Sequence, residues 1–184
     1  MQQEVIIAGF GGQGVLFAGQ LLAYAGMDAG KEVTWIPSYG PEMRGGTANC
    51  TVVISDEEIG SPFVKNPAAV LAMNLPSLDK YENLVKEGGV LVVNTSMVNR
   101  QVAREDITVV SIPANDIAES IGSKRAVNMV MLGALLGNSD ILSLEDLEMA
   151  LEGHLPERHK KLLPANLEAL RQGAAYKVDQ GVMS

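Results

Sequence analysis

Apolar residues fall along this chain in two alternating rhythms. Glu4-Val5-Ile6-Ile7-Ala8 is a short, nearly continuous apolar run that stops at glycine, the pattern of a strand buried on both faces. Beyond the glycines, Val15, Leu16, Ala18, Leu21, Leu22 and Ala25 recur at helical spacing. They predict a helix from about Gly14 to Ala29, stopped by Gly30. Val33-Thr34-Trp35-Ile36 returns to strand, so the chain opens as strand, glycine turn, helix, strand. From Pro37 to Thr47 two prolines and three glycines predict an irregular loop. Ala48 to Ser55 is a strand rich in β-branched residues. No crossover helix precedes it, so the chain can return antiparallel there.

The same reading gives strands at Ala69–Met73, Val90–Asn94 and Ile107–Ser111, and a helix over about Pro76–Val85. Pro76 is tolerated in a first turn, where its missing N–H would have no partner. The last third predicts helices over about Asp116–Ile121, Ala126–Leu136, Ser143–Leu151 and Pro164–Tyr176. Ser143 and Asp146 form a capping box at the start of one of them. Strands alternating with helices predict an α/β fold in one domain spanning residues 1–184. It is expected to have three layers, α/β/α, with a mostly parallel sheet open to a reversed strand and a Rossmann-like glycine turn after strand 1.

Composition narrows the function classes. The 184 residues are 47% hydrophobic and 20% charged, which excludes a disordered chain. The net charge of −8, with no basic run and only 4% aromatic residues, gives no footprint for nucleic acid. No apolar stretch reaches the length of a membrane span, and the start Met1-Gln2-Gln3-Glu4 lacks the positive region of a signal peptide. A cytoplasmic address is expected. The single cysteine, Cys50, cannot supply the four ligands of a typical iron–sulfur cluster. His154 and His159 flank Pro156 and read as a solvated loop rather than a metal pair.

Two loops remain as candidate chemistry. Gly9-Phe10-Gly11-Gly12-Gln13-Gly14 fits G-x-G-x-x-G between a strand and a helix. In that fingerprint Gly9 permits the turn, Gly11 lets a ligand approach, and Gly14 allows close helix–strand packing, while free N–H groups form an anion site. A dinucleotide site also needs an acid at the end of the next strand. Here that strand ends Trp35-Ile36-Pro37-Ser38, and Asp28 and Glu32 lie before it. The turn thus serves packing, a phosphate-bearing ligand or a partner chain. The second loop, Ser38-Tyr39-Gly40-Pro41-Glu42-Met43-Arg44-Gly45-Gly46-Thr47, places one guanidinium among prolines and glycines. Arg44 either grips a carboxylate or phosphate, or pairs with an acid such as Glu42.

Three stretches in series, Gly9 to Val15, Ser38 to Ser55 and Asn128 to Ala134, resemble the gamma subunit of 2-oxoacid:ferredoxin oxidoreductases, the third domain of single-chain members. Ser38 to Glu42 followed by Arg44-Gly45-Gly46 looks most like the 2-oxoglutarate branch. Pyruvate and branched-chain members tend toward Arg-Gly-Ala, and an indolepyruvate-type enzyme is the next neighbour. The resemblance implies a complex that turns a 2-oxoacid and coenzyme A into acyl-CoA and carbon dioxide, passing electrons to ferredoxin. It implies alpha, beta and delta subunits as partners, with thiamine diphosphate, magnesium and iron–sulfur clusters held by them. This chain would bind no cofactor and have no catalytic residue alone. Gly9, Gly11, Gly12, Gln13, Gly14, Ser38, Tyr39, Arg44, Gly45 and Gly46 would line the coenzyme A side. A purely structural subunit and a stand-alone nucleotide-binding oxidoreductase are the alternatives.

Overall fold

A computed structural model describes residues 1–38 and 47–178. The strands are β1 (Gln2–Phe10), β2 (Glu32–Ser38), β3 (Thr47–Ser55), β4 (Ala69–Ala72), β5 (Val90–Asn94) and β6 (Thr108–Ile112). They form one sheet in the order β2-β3-β1-β4-β5-β6. β1, β4, β5 and β6 run parallel, and β3 is antiparallel to both β1 and β2. The sheet is therefore mixed by one reversed strand, as the missing crossover helix before Ala48 requires.

The helices are α1 (Val15–Asp28), α2 (Leu75–Tyr81), α3 (Ala114–Ser120), α4 (Val127–Gly137), α5 (Leu144–His154) and α6 (Leu163–Ala175). Alternation along the strands divides the interior. Val5, Ile7, Cys50, Val52, Leu71, Val92 and Ile112 face the core under α1, α3 and α4. Ile6, Ala8, Val70, Ala72, Leu91 and Val93 face a smaller core closed by Leu78 and Tyr81 of α2. The first face carries two depths of helix, because α5 packs on α1 and α6 packs on α4. That depth explains α4, which is buried on every side from Val127 to Leu136, as an all-round apolar helix must be. Its contact with α6 is made by glycines. A Cβ on Gly133 would come within 2.9 Å of the Leu170 carbonyl carbon and closer to its oxygen.

Most element ends fall within two residues of expectation, and the departures have local causes. β2 extends through Pro37 and Ser38, residues the sequence assigns to the loop. A proline is tolerated there because β2 is an edge strand. α2 stops at Tyr81 and continues as a 3₁₀ turn over Glu82–Leu84. The buried Glu82 accepts from the Ala103 N–H at 2.6 Å and pairs with Arg100 at 2.7 Å, binding the segment before β6 to that turn. The capping box forms as expected, with Ser143 Oγ accepting from Asp146 N at 3.1 Å and Asp146 accepting from Ser143 N at 3.0 Å. The solvated-loop reading of His154 is corrected. His154 is the last residue of α5, its ring stacked on Tyr24 with centroids 4.1 Å apart. Its Nε2 lies 2.8 Å from Asp28 Oδ2, which ties α5 to α1. Pro156 acts on the residue before it, leaving the helix intact through His154.

Candidate functional site

β1 delivers the chain to the carboxyl edge of the sheet, where Gln13 N closes the turn on Phe10 O at 3.2 Å. Gly12 and Gly14 hold φ of 92° and 75°, a region closed to most side chains. Gly14 caps α1, its carbonyl accepting from Ala18 N at 3.0 Å and from the Asn128 amide at 3.2 Å. A Cβ on Gly14 would lie 2.9 Å from Asn128 Cγ, so this glycine admits α4, a helix, rather than a strand. Gly9 is still within β1. A Cβ there would meet Gln13 Oε1 at 2.6 Å and Met73 Cβ at 3.0 Å, so Gly9 makes room for the folded-back Gln13 and for β4's end. Gly11 is half-buried and Gly12 exposed, with no heavy atom within 4 Å of a Cβ on Gly12. The backbone of these two residues is the part of the turn open to a visitor.

The side chain of Gln13 points inward. Its Oε1 accepts from Phe10 N at 2.6 Å and from the Asn74 amide at 3.3 Å, and its Nε2 donates to Met73 O at 3.4 Å. Asn74 also caps α2, accepting from Ser77 N at 2.9 Å. The fully buried Asn94, at the end of β5, donates to Met73 O at 3.3 Å and to Asn115 Oδ1 at 2.8 Å. Its own Oδ1 accepts from Ser96 N and Ala114 N, both at 3.2 Å. Amides thus cross-tie the loops after β1, β4, β5 and β6 into one rim. These groups carry no charge and do not titrate, so the rim is rigid and polar without being acid or base. The sequence reading passed over this role. Its only trace is an asparagine closing each of two apolar strands.

Ser38 ends β2 at the same edge and is exposed. Tyr39, Arg44, Gly45 and Gly46 lie outside the described residues. The flank after them is fixed: Thr47 pairs in register with Phe10, so the second loop re-enters the sheet beside the glycine turn. The topology also gives a reason for the missing dinucleotide acid. β3 lies between β1 and β2, moving the end of β2 two strand spacings, about 10 Å, from the strand that feeds the turn.

The donor set for a metal cluster does not fit. Cys50 is fully buried, its Sγ donating to Val15 O at 3.5 Å. Burial pushes the thiol up to about 11. A neutral, enclosed thiol is neither ligand nor nucleophile. Cys50 is expected to resist a thiol reagent at pH 8 in the folded protein and to react fully in denaturant. Because its folded value is raised, the stability it lends is complete below the unfolded thiol's range and is lost as pH rises through about 11. Fast labelling under native conditions, followed by absorbance, would overturn this placement. Among the described residues no group of three or more His, Cys, Asp or Glu converges as a metal site, and no helix is long and apolar enough to cross a membrane.

Residues 4–176 match the family described as pyruvate ferredoxin/flavodoxin oxidoreductase. The chain is 40% identical over 174 residues to ketoisovalerate oxidoreductase subunit VorA of Methanothermobacter marburgensis, covering 94% of this chain and 36% of that one. It thus spans about a third of that relative's length. It is 40% identical over 160 residues to 2-oxoglutarate synthase subunit KorC of Methanocaldococcus jannaschii, covering 85% of this chain and 86% of that one. Its fold superposes on the gamma subunit of a keto/oxoacid ferredoxin oxidoreductase from Geobacter sulfurreducens with a TM-score of 0.83 and 29% identity, covering 96% of both chains.

Proposed function

The chain belongs to the pyruvate ferredoxin/flavodoxin oxidoreductase family, and from that membership we propose that it is the gamma-type subunit of a cytoplasmic 2-oxoacid:ferredoxin oxidoreductase acting on 2-oxoglutarate. Its partners are then the alpha, beta and delta subunits, which hold thiamine diphosphate, magnesium and the iron–sulfur clusters and deliver electrons to ferredoxin. The observation that carries the reading is a pre-formed turn, open at Gly11 and Gly12, on a chain whose lone thiol is buried and neutral. Such a chain offers a binding wall and no redox centre.

In the assembled enzyme the turn and the neighbouring loop form one edge of the coenzyme A channel. Gly11 and Gly12 present backbone to the cosubstrate, Arg44 supplies positive charge for a phosphate, and Tyr39 and Ser38 add hydrogen bonds. Gly9, Gln13 and Gly14 hold the turn's shape. The choice of 2-oxoglutarate is supported by Arg44-Gly45-Gly46 and by KorC, a 2-oxoglutarate synthase subunit of nearly the same extent as this chain, whereas VorA is a much longer chain.

The test is Arg44→Ala in the reconstituted complex. The KM for coenzyme A is expected to rise about tenfold, the worth of one charge-assisted contact, with subunit stoichiometry unchanged. Loss of assembly, with a normal KM in whatever complex remains, would favour a purely structural subunit instead. Acyl-CoA formation from 2-oxoglutarate in preference to pyruvate or ketoisovalerate tests the oxoacid. The chain alone is expected to reduce no dye with any of the three.

A further inference from the structure

A second feature lies at the amino edge of the sheet, at the opposite end of β1 from the glycine turn. β3 starts beside Phe10 and ends with Ser55 beside Gln2, about 27 Å further along the sheet. Residues 56–67, which join β3 toward β4, contain no helix or strand. They are nonetheless fastened at several points. Ser55 Oγ accepts from Glu57 N at 3.1 Å, and Ser61 Oγ accepts from Phe63 N at 3.3 Å. The Asn66 amide donates to Leu84 O at 3.1 Å, and Pro67 O accepts from Lys86 N at 3.0 Å. Asp56 is ion-paired with Lys31 and with the Met1 ammonium.

Phe63 sits in this fastened segment with its side chain 89% exposed, more than any other large apolar residue described. The other two phenylalanines, Phe10 and Phe17, are half-buried. Scattered apolar side chains are ordinary on a surface. A whole aromatic ring on a pinned backbone is a different case, because it forfeits the free energy of burying its full area. Pro62 directly before it narrows the backbone further. A ring held in this way loses little freedom when another molecule covers it, which is the property of interface anchors. Leu84, whose carbonyl takes the Asn66 amide, is exposed too and adds apolar surface at the end of the segment.

Charge selects what covers the ring. Glu57 and Glu58 are exposed and enter no ion pair among the described residues, while Lys65 is the one base in the segment. Glu58 lies within five residues of Phe63, at most about 18 Å of chain. Two copies of this chain meeting here would set these glutamates against each other on molecules of net charge −8. Like charges across an interface suppress that pairing, and opposite charges favour it. We propose that Phe63 is the anchor by which this chain docks on another subunit of its complex, entering an apolar pocket rimmed by lysine or arginine that faces Glu57 and Glu58. The proposal rests on the subunit reading above and does not depend on the oxoacid or on the channel edge.

Binding of the full chain to the purified remaining subunits, followed by biolayer interferometry at several salt concentrations, tests it. Phe63→Ala is expected to weaken binding at least about tenfold, mainly through faster dissociation. Met149→Ala removes another exposed apolar side chain, 55% accessible on α5, and is expected to alter binding by less than about twofold. Changing Glu57→Lys and Glu58→Lys together is expected to slow association at least about fivefold at low salt. Added salt should then speed association instead of slowing it. Circular dichroism verifies the fold of each variant. If the wild-type chain assembles and Phe63→Ala binds within twofold of it, or no more weakly than Met149→Ala, the anchor is overturned and the subunit reading stands. Association of the double variant as fast as wild type overturns the basic rim and with it the proposal. If the wild-type chain binds no subunit carrying thiamine diphosphate, both readings fall. A dimer of the isolated chain in sedimentation, dispersed by Phe63→Ala, overturns the proposal in favour of a second copy.

Discussion

Gly133→Val is expected to destabilise the protein by about 3 kcal/mol or more, at the upper end of overpacking effects, lowering the thermal midpoint by roughly 6–12 °C for a domain of this size. α4 and α6 meet backbone to backbone. A Cβ on Gly133 would lie 2.9 Å from the Leu170 carbonyl carbon and 3.0 Å from Ala174 N, and one on Gly173 would lie 2.9 Å from both Val130 C and Ala134 N. The obstacles are main-chain atoms of a helix, so no side-chain rotation relieves them. The helices would have to separate, opening the layer over β4, β5 and β6. The matched control is Gly153→Ala in α5, where nothing lies within 4 Å of the new Cβ. That change is expected to stabilise by about 0.5–1 kcal/mol through helix propensity. Urea unfolding of both variants measures the contrast, and an unchanged midpoint for Gly133→Val would refute the close packing described.

The second large effect is expected at Asn94. Asn94→Leu keeps the branching at Cγ and removes a donor and acceptor that serve Met73 O, Asn115 Oδ1, Ser96 N and Ala114 N. Met73 O retains the Gln13 amide at 3.4 Å, but Ala114 N is buried and loses its side-chain partner. Leaving buried polar groups unpaired costs about 1–3 kcal/mol each, so a loss of about 3 kcal/mol is expected. Hydrogen exchange should show faster opening in the loops after β5 and β6 than in β1 or β3. The consequence for function follows from the cross-ties. In the complex, a softened rim should raise the coenzyme A KM without any change at Arg44. Uniform loosening across the sheet would instead mean that Asn94 serves packing alone.

Much of this architecture was legible in one dimension. β-branched runs, the helical spacing of Val15 to Ala25 and the Ser143–Asp146 box are local signals, and local signals survive without tertiary information. The reversed β3 was legible too, because a loop with no crossover helix cannot join adjacent parallel strands. The two loops were recognisable as unusual from their glycines and prolines. Their shared location follows from the Phe10–Thr47 register, which residue spacing does not encode.

Residue type and short-range order were enough for an α/β chain with a glycine turn, a net negative charge and no thiol set for a cluster. What the individual polar residues do emerges once the layers are stacked. Gln13, Asn74 and Asn94 meet across up to 81 positions of the chain, and Gly14 is small because Asn128 of a distant helix lies over it. Hydrogen bonds and close packing act over a few ångströms in space, and distances of that kind are set by how layers stack rather than by neighbours along the chain.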